Sequence, residues 1–222
     1  LRVRFWAMRF LGDSKELIKQ MVKSFLCVGA TPACLLFTGL YSLKKKIRPQ
    51  EGQNIVLVGG ELFNKGSQGM VFTVVDELRR RYPDKKIFLL SQPDSLRAPG
   101  EKKKYTFEIC PWSRRHVMNL FFFGGAFAGG EKKTITFLRE IIEKAFCFVD
   151  ISGYALSSQW IYGRSFDYLA NIAVAKKFKI PYFVMPQSLG PFDYPLFYKM
   201  LLWPLLKVYL NYPQKIFVRE QE

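Results

Sequence analysis

The sequence predicts an α/β fold built on a Rossmann-like parallel sheet with helices on both faces. Short apolar runs, typical of strands buried on both sides, recur along the chain, and segments with apolar residues at helical spacing separate them. Strands that alternate with helices form parallel sheets, because each crossover places its helix against a face of the sheet. The 222 residues, 49% of them apolar, are enough to bury such a core.

Five strands and four helices are predicted in alternation from residue 54 onward. The predicted strands cover 54–58, 87–90, 146–151, 182–185 and 215–218. The predicted helices cover a segment in which Met70, Val74 and Leu78 repeat at helical spacing, and then residues 134–145, 166–178 and 194–209. The stretch 92–104, rich in Pro, Gly and Lys, is predicted to be an exposed and mobile loop.

The first fifty residues differ from the rest in charge and composition. The chain has 34 basic and 18 acidic side chains, and ten basic and two acidic ones lie before residue 51. Residues 25–43 carry no charge, but Pro32 and several Gly and Thr residues favour a membrane-surface segment or a broken helix over a true span. We therefore predict a basic, apolar helical extension at 1–52, suited to an anionic membrane surface, and a Rossmann-like domain at 53–222.

Other partners and sites are disfavoured. No zinc-finger spacing, RNA-binding aromatic strand or recognition-helix pattern accompanies the basic residues, so nucleic acid is not expected as a partner. The four scattered cysteines predict neither a metal site nor a disulfide framework and fit a cytosolic protein, with Cys147 a buried thiol. The single histidine, His116, is interpreted as a surface or capping residue, with a general base as the less favoured alternative.

Loops that follow predicted strands lie at the edge where open parallel sheets bind ligands. The first, at 59–70, contains Asn64, Lys65, Gly66 and Ser67 and offers backbone donors and a cation to an anion or sugar; alternatively, Ser67 only caps the helix. The loop matches neither G-x-G-x-x-G nor G-x-x-x-x-G-K-[ST], because Lys65 precedes Gly66. Its residues therefore do not support a nucleotide site.

Two further loops carry aromatic and amide side chains. Gly153 and Tyr154 follow the third predicted strand, where small and aromatic residues suit a sugar-binding lip. After the fourth predicted strand, two prolines and Gly190 fix the backbone, so that Gln187 and Ser188 are presented rigidly to a ligand.

Taken together, these loops make the chain resemble the polysaccharide pyruvyl transferase family. The resemblance rests on N-K-G-S-Q-G-M at 64–70, D-I-S-G at 150–153, M-P-Q-S-L-G-P-F at 185–192 and F-V-R-E at 217–220. It covers residues 54–222, and the run at 185–192 is its most specific part. Gly69 departs from the pattern, since family members often have Ala there.

The resemblance implies an enzyme that transfers pyruvate from phosphoenolpyruvate onto sugar hydroxyls of a cell-surface or exopolysaccharide and forms a pyruvate ketal. Phosphoenolpyruvate and a sugar or polysaccharide are the implied partners, with no cofactor and no metal. The chain would be the N-terminal half of a GT-B-like two-domain enzyme and inactive without its second domain. We expect it to be cytoplasmic, peripheral at the inner face of the membrane.

The resemblance also implies substrate contacts, although it identifies no catalytic acid or base among these residues. The expected contacts are Asn64, Lys65, Gly66, Ser67, Gly153, Tyr154, Gln187, Ser188, Gly190 and Arg219. Arg219 is expected to face the donor from the carboxyl end of a buried last strand, because it is the first polar residue after 216–218.

Two other function classes stay open at this point. A GT-B nucleotide-sugar glycosyltransferase shares the two-domain architecture and the basic, membrane-proximal character. A non-catalytic membrane-associated protein of a polysaccharide locus needs no active site at all. Fold alone does not separate these classes, because one fold carries many functions.

Overall fold

One six-stranded parallel sheet organises the chain. The computed structural model describes residues 51–123, 129–160 and 163–219, so the predictions for residues before 51 lie outside the described residues. The strands are β1 (Asn54–Val58), β2 (Lys86–Leu90), β3 (Glu108–Cys110), β4 (Ala145–Asp150), β5 (Tyr182–Gln187) and β6 (Lys215–Val218). They lie in the order β3-β2-β1-β4-β5-β6, and all neighbours are parallel. The predicted fold class is confirmed.

Helices connect the strands along the described ranges. They are α1 (Lys65–Arg81), α2 (Gln92–Ser95), α3 (Pro99–Lys102), α4 (Arg114–Met118), α5 (Lys132–Glu143), α6 (Gly163–Phe178) and α7 (Leu196–Tyr209). A π-helical turn at Asn119–Phe123 follows α4, and a 3-10 turn at Gly129–Glu131 precedes α5.

The sheet has a hydrophobic layer on each face. Because side chains alternate along a strand, β1 sends Val56 and Val58 to one face and Ile55 and Leu57 to the other. The first face packs against α4 to α7, whereas the second packs against α1, where Val71 is buried. Helices therefore cover both faces, as the sequence predicts.

Helix α1 begins at Lys65, before Met70, the first of the regularly spaced apolar residues, because Asn64 caps its N-terminus. The Asn64 backbone is extended, and its side-chain oxygen accepts hydrogen bonds from the backbone N–H groups of Gly66 at 2.9 Å and Ser67 at 3.5 Å. Such a cap stabilises a helix by about 1 kcal/mol. The alternative that Ser67 caps the helix is therefore wrong.

The prediction of a loop at 92–104 is wrong, although about half of the segment is exposed as predicted. The segment contains α2 and α3, and Asp94 is fully buried. The Asp94 carboxylate accepts hydrogen bonds from the Leu62 backbone at 2.9 Å, the Ser91 hydroxyl at 2.6 Å and the Arg97 guanidinium at 2.8 Å. These bonds tie the segment to the loop after β1, a long-range contact that local composition does not reveal.

Strand β6 is present but is not buried as predicted. Its three apolar side chains, Ile216, Phe217 and Val218, are between 36% and 52% exposed. As the edge strand it pairs only with β5, and the described residues leave these side chains open to solvent. Strand β3 is absent from the sequence prediction, because three residues are too few to show a periodic pattern.

The approach of the β1 and β4 loops requires a glycine at position 59. Gly59 has φ +77°, and a Cβ there would lie 2.0 Å from Ser152 Oγ and 2.9 Å from Ser152 Cα. We expect Gly59→Ala to lower the free energy of unfolding by at least about 2 kcal/mol, because the left-handed backbone and the collision both oppose it. Urea denaturation measures the change.

Gly69→Ala is the matched control for this substitution. Gly69 lies inside α1, and no atom is within 4 Å of the position that its Cβ would take. We expect this variant to gain about 0.5–1 kcal/mol from the higher helix propensity of alanine. Equal effects of the two substitutions would contradict the assigned role of Gly59.

Candidate functional site at the strand-order reversal

A cavity of about 600 Å³, called the switch cavity below, lies where the order of the strands reverses. Strands β1 and β4 are neighbours, but the chain leaves β1 toward β2 on one side and leaves β4 toward β5 on the other. The loops after the two strands therefore diverge and open a crevice, which is the usual ligand site of such sheets. Gly59, Gly60, Ser152 and Gly153 line it.

The base of the switch cavity is held by a buried carboxylate. Asp150, the last residue of β4, accepts hydrogen bonds at Oδ1 from the Ser152 backbone at 2.8 Å and from the Ser152 hydroxyl. The Tyr182 hydroxyl donates to Oδ2. Burial raises the pKa of Asp150, and the hydrogen bonds from Ser152 and Tyr182 offset part of this rise. The arrangement fixes Ser152 against the loop after β1.

The first predicted binding loop reaches the switch cavity, with one exception. Asn64, Gly66 and Ser67 line the cavity, whereas Lys65 is exposed and lines neither this cavity nor the neighbouring one. The Ser67 hydroxyl accepts a hydrogen bond from the Glu61 backbone at 2.8 Å. Because the Asn64 cap engages the N–H groups of Gly66 and Ser67, two of the backbone donors expected to meet an anion are already used.

The second and third predicted loops are joined by backbone hydrogen bonds. The Ser188 N–H donates to the Gly153 carbonyl at 2.9 Å, and the Gly190 N–H donates to the Leu156 carbonyl at 3.0 Å. Both Ser188 and Gly190 line a second cavity beside the first. Segments more than thirty residues apart in the sequence thus form one continuous rim.

The second cavity adjoins the switch cavity through Tyr154 and Arg219, which line both. Gln187 also lines it and is fully buried, and neither Oε1 nor Nε2 of its amide has a hydrogen-bond partner within the described part of the chain. The Tyr168 hydroxyl interacts with this amide electrostatically, outside hydrogen-bond geometry. A buried amide of this kind has hydrogen-bonding capacity left for a ligand, since the interaction with Tyr168 engages only part of it.

Three arginines line the switch cavity: Arg114, Arg164 and Arg219. The Arg114 guanidinium forms a two-point ion pair with Asp167, in which Nη2 lies 2.9 Å from Oδ2. The Arg164 guanidinium lies 5.2 Å from the centroid of the Trp160 ring, a cation–π contact. No described carboxylate pairs with Arg164 or Arg219, so their charge is open to an anionic ligand.

Arg219 occupies the position that the sequence predicts. It directly follows β6, and its backbone N–H donates to the Gln187 carbonyl at 3.1 Å. Its Nη2 lies 3.8 Å from Sδ of Met70, the last residue of the first predicted loop. The side chain therefore extends from the edge strand toward α1 across the mouth of both cavities.

His116 is buried, which corrects its interpretation as a surface residue. The short helix α4 turns His116 and Val117 toward the core. Ser113 Oγ lies 2.9 Å from His116 Nδ1, and Glu131 Oε2 lies 3.7 Å from Nε2. Burial lowers the pKa of His116. The negative charge of Glu131 raises this pKa in part, and the positive charge of Arg115 lowers it further. Since Ser113 lines the switch cavity, the cluster connects the cavity to a buried imidazole.

Sequence reasoning missed the lining residues that follow β3. Trp112 Nε1 donates to Asn171 Oδ1 at 2.9 Å, and both residues line the switch cavity. The sequence does contain a weak signal for this strand and the helix after it. Ile109 and Cys110 form a short apolar pair, and a proline and the helix-capping Ser113 follow. Arg114 and Arg164 lie on helices, where spacing alone does not indicate which side chains face a crevice.

The described residues give little support for a metal site or a reactive cysteine. No three His, Cys, Asp or Glu side chains come together there as metal ligands would. Cys110 and Cys147 are buried, and burial raises the pKa of each thiol to about 12, so both stay protonated at neutral pH. The prediction of a buried thiol at Cys147 is confirmed. No helix in this part of the chain is long and apolar enough to cross a membrane.

The fold defines a parallel α/β protein with a crevice at the switch point of its sheet. A sequence model of the polysaccharide pyruvyl transferase family matches residues 41–222, and the chain belongs to that family. Neither a curated protein nor a solved structure matches the chain significantly. The family match confirms the resemblance found in the loop sequences and makes the chain a member of a transferase family.

The contact between Tyr182 and Asp150 is predicted to stabilise the site in a pH-dependent way. We expect Tyr182→Phe to lower the free energy of unfolding by about 1–3 kcal/mol, because Asp150 Oδ2 loses its donor. Losing that donor raises the folded-state pKa of Asp150 further. For a carboxyl group with a raised pKa, stability is lost as pH rises through the folded pKa, so the effect should be larger near pH 8 than near pH 5.

Tyr82→Phe is the control, because Tyr82 is exposed and caps the end of α1 through its backbone. Denaturant unfolding at the two pH values measures both variants. An equal loss at both pH values in Tyr182→Phe would show that the hydroxyl does not act through the ionisation of Asp150.

Proposed function

We propose that the switch cavity binds phosphoenolpyruvate beside a sugar hydroxyl, and that the chain takes part in transferring pyruvate onto a cell-surface or exopolysaccharide as a ketal. The observation that carries this proposal is the presence of Arg164 and Arg219 at one cavity without a carboxylate partner among the described residues. Phosphoenolpyruvate has a carboxylate and a phosphate, and a guanidinium binds either group through two parallel hydrogen bonds.

The sugar is proposed to lie against the aromatic side of the same crevice. Tyr154 and Trp160 have ring centroids 6.3 Å apart in an edge-on arrangement, and both line the switch cavity together with Trp112. Aromatic faces pack against the C–H faces of sugar rings, and amides bind their hydroxyls. The buried Gln187 amide, which makes no geometrically complete hydrogen bond among the described residues, is the proposed hydroxyl ligand in the adjoining cavity.

The proposed reaction needs one proton donor and one proton acceptor. Protonation of the methylene carbon of phosphoenolpyruvate creates an oxocarbenium-like centre at the neighbouring carbon, which one sugar hydroxyl attacks with loss of its proton. A second hydroxyl then displaces inorganic phosphate, which takes up the proton of that hydroxyl as it leaves, and the ketal closes. A general acid and a general base near the developing charges accelerate such steps.

The cluster of Ser113, His116 and Glu131 is the candidate proton acceptor. If the Ser113 hydroxyl donates to Nδ1, the single N–H hydrogen of the neutral imidazole is on Nε2 and faces the Glu131 carboxylate. A sugar hydroxyl at Ser113 would then pass its proton through the serine to the imidazole. His116 is proposed to act as a positioning and relay residue, since Ser113 stands between it and the cavity.

The family match favours pyruvyl transfer over the two rival classes. A nucleotide-sugar transferase lacks a supporting motif at 59–70, and a non-catalytic protein gives no reason for unpaired arginines at a cavity. We also propose that the protein lies in the cytoplasm, at the inner face of a membrane. It is proposed to use no cofactor beyond the donor substrate.

Arg219→Lys tests the donor site. Lysine keeps the charge but loses the two-point geometry, so we expect the KM for phosphoenolpyruvate to rise about tenfold while the acceptor KM stays nearly unchanged. Phosphate release in the active enzyme measures both constants. Arg139→Lys is the control, because Arg139 pairs with Glu143 on α5 and does not line the cavity. Unaltered donor kinetics in Arg219→Lys would count against the proposed donor site.

His116→Gln tests the relay. We expect kcat to fall about 100-fold or more, with the KM for phosphoenolpyruvate nearly unchanged. Because a protonated imidazole cannot accept a proton, activity should fall on the acidic side, and burial places this limb below pH 6.5. The limb should disappear in the variant. Ser113→Thr should keep activity and Ser113→Ala should lose it, whereas an acidic limb that persists in His116→Gln would exclude the relay.

A further inference from the structure

Helix α7 is apolar on two opposite sides. One side packs into the core through Leu202, Leu205, Leu206 and Tyr209. The other side carries four large apolar side chains that are between 53% and 75% exposed, and they are called the α7 strip below: Leu196, Phe197, Met200 and Trp203. A helix that is apolar all round is normally buried all round, so the strip needs an explanation.

The spacing of the α7 strip shows that it is one continuous surface. Leu196, Met200 and Trp203 follow one another at i, i+4 and i+7, so they line a single face of the helix, and Phe197 widens it. Phe192, four residues before the helix, is also exposed and lines the second cavity. The N-terminal end of the strip is therefore close in sequence to the rim of the crevice.

The charged residues within α7 are both lysines. Exposed Lys199 lies beside the strip, and exposed Lys207 lies one turn beyond Trp203. Exposed Asp193 precedes the helix, and no Asp or Glu occurs between residues 194 and 219. This pattern complements an anionic surface, and it disfavours a second copy of the chain, because symmetric pairing would bring the lysines of two strips together.

The dimensions of α7 fit a helix that lies on a membrane. Its 14 residues span about 21 Å, less than the hydrocarbon core of a bilayer. Because its inner face is packed in the core, only the outer side chains can enter lipid. Trp and Phe favour the membrane interface, and flanking lysines reach anionic headgroups.

We propose that the α7 strip is a docking surface for a membrane that contains anionic phospholipids. Docking buries the four apolar side chains at the level of the headgroups and places the lysines against lipid phosphates. It also turns the rim of the crevice near Phe192 toward the membrane, where a lipid-linked saccharide would be within reach. The docking surface does not depend on the identity of the reaction in the crevice.

A fluorophore placed in the strip tests this proposal in the full chain. Nitrobenzoxadiazole is attached at Met200→Cys, with Lys133→Cys, an exposed position on α5, as the matched control. Cys27 and Cys34 are first replaced by Ala, and the buried Cys110 and Cys147 label slowly because their pKa is raised. Vesicles of phosphatidylcholine with about one-third phosphatidylglycerol are compared with phosphatidylcholine alone.

We expect the label at position 200 to shift its emission to the blue on the anionic vesicles, and the label at position 133 not to shift. Replacing both Phe197 and Trp203 with Ser should weaken vesicle binding about tenfold or more, whereas replacing the exposed Leu96 and Phe137 with Ser should leave it unchanged. Because the label reports on the strip itself, binding through the first fifty residues alone would not produce the shift.

Three results would overturn the proposal. The first is an unshifted label at position 200 on vesicles that bind the protein. The second is a blue emission without vesicles that grows with protein concentration, which would show that a second copy covers the strip. The third is a blue emission without vesicles at every concentration, which would show that another segment of the same chain covers it.

Discussion

The buried carboxylate of Asp150 is the interaction on which the sheet and the crevice both depend. Burying a carboxylate is costly unless donors surround it, and here two bonds from Ser152 and one from Tyr182 do so. The same bonds fix Ser152 in the space that a side chain at Gly59 would need. The divergence of the β1 and β4 loops, and therefore the shape of the switch cavity, follows from this contact.

The arrangement also explains why the predicted loops meet. Three of the four segments that carry the family resemblance follow β1, β4 and β5, and parallel strands bring their carboxyl ends to one edge. The backbone bonds from Ser188 to Gly153 and from Arg219 to Gln187 then hold the loops and the end of β6 at fixed spacing. The position of the site is thus a consequence of topology, whereas its chemistry depends on the side chains that line it.

The strands of the sheet could be predicted from sequence because apolar runs record burial directly. The exposure of β6 could not be predicted, since an edge strand and a central strand have the same local sequence pattern and differ only in their neighbours. The environment of Asp94 was hidden for a related reason, because its partner Leu62 lies 32 residues away. His116 looked isolated, since its neighbour Glu131 is far from it in the sequence and the proximity of the two side chains is visible only in the structure.

Some residues of the site could be predicted from the sequence, and others could not. Asn64 and Tyr154, in loops, and Gln187, the last residue of β5, could be predicted, because turn chemistry and strand ends mark their positions. Arg164 could not, because the face that a helix turns toward a crevice depends on packing against its neighbours. Lys65 was predicted to contact a ligand, but its side chain lines neither cavity.

We propose two separate purposes for positive charge on this chain, donor binding at the crevice and membrane docking at α7. Arg164 and Arg219 lie at the cavity, whereas Lys199 and Lys207 lie on the surface beside apolar side chains. A single weak membrane contact holds a protein only transiently, but two contacts on one chain strengthen each other, because the second forms at a high effective concentration. The first fifty residues, with a net charge of +8, provide a second basic segment. Simultaneous contact through both would orient the crevice as well as retain the protein, and orientation matters most for an acceptor confined to the membrane surface.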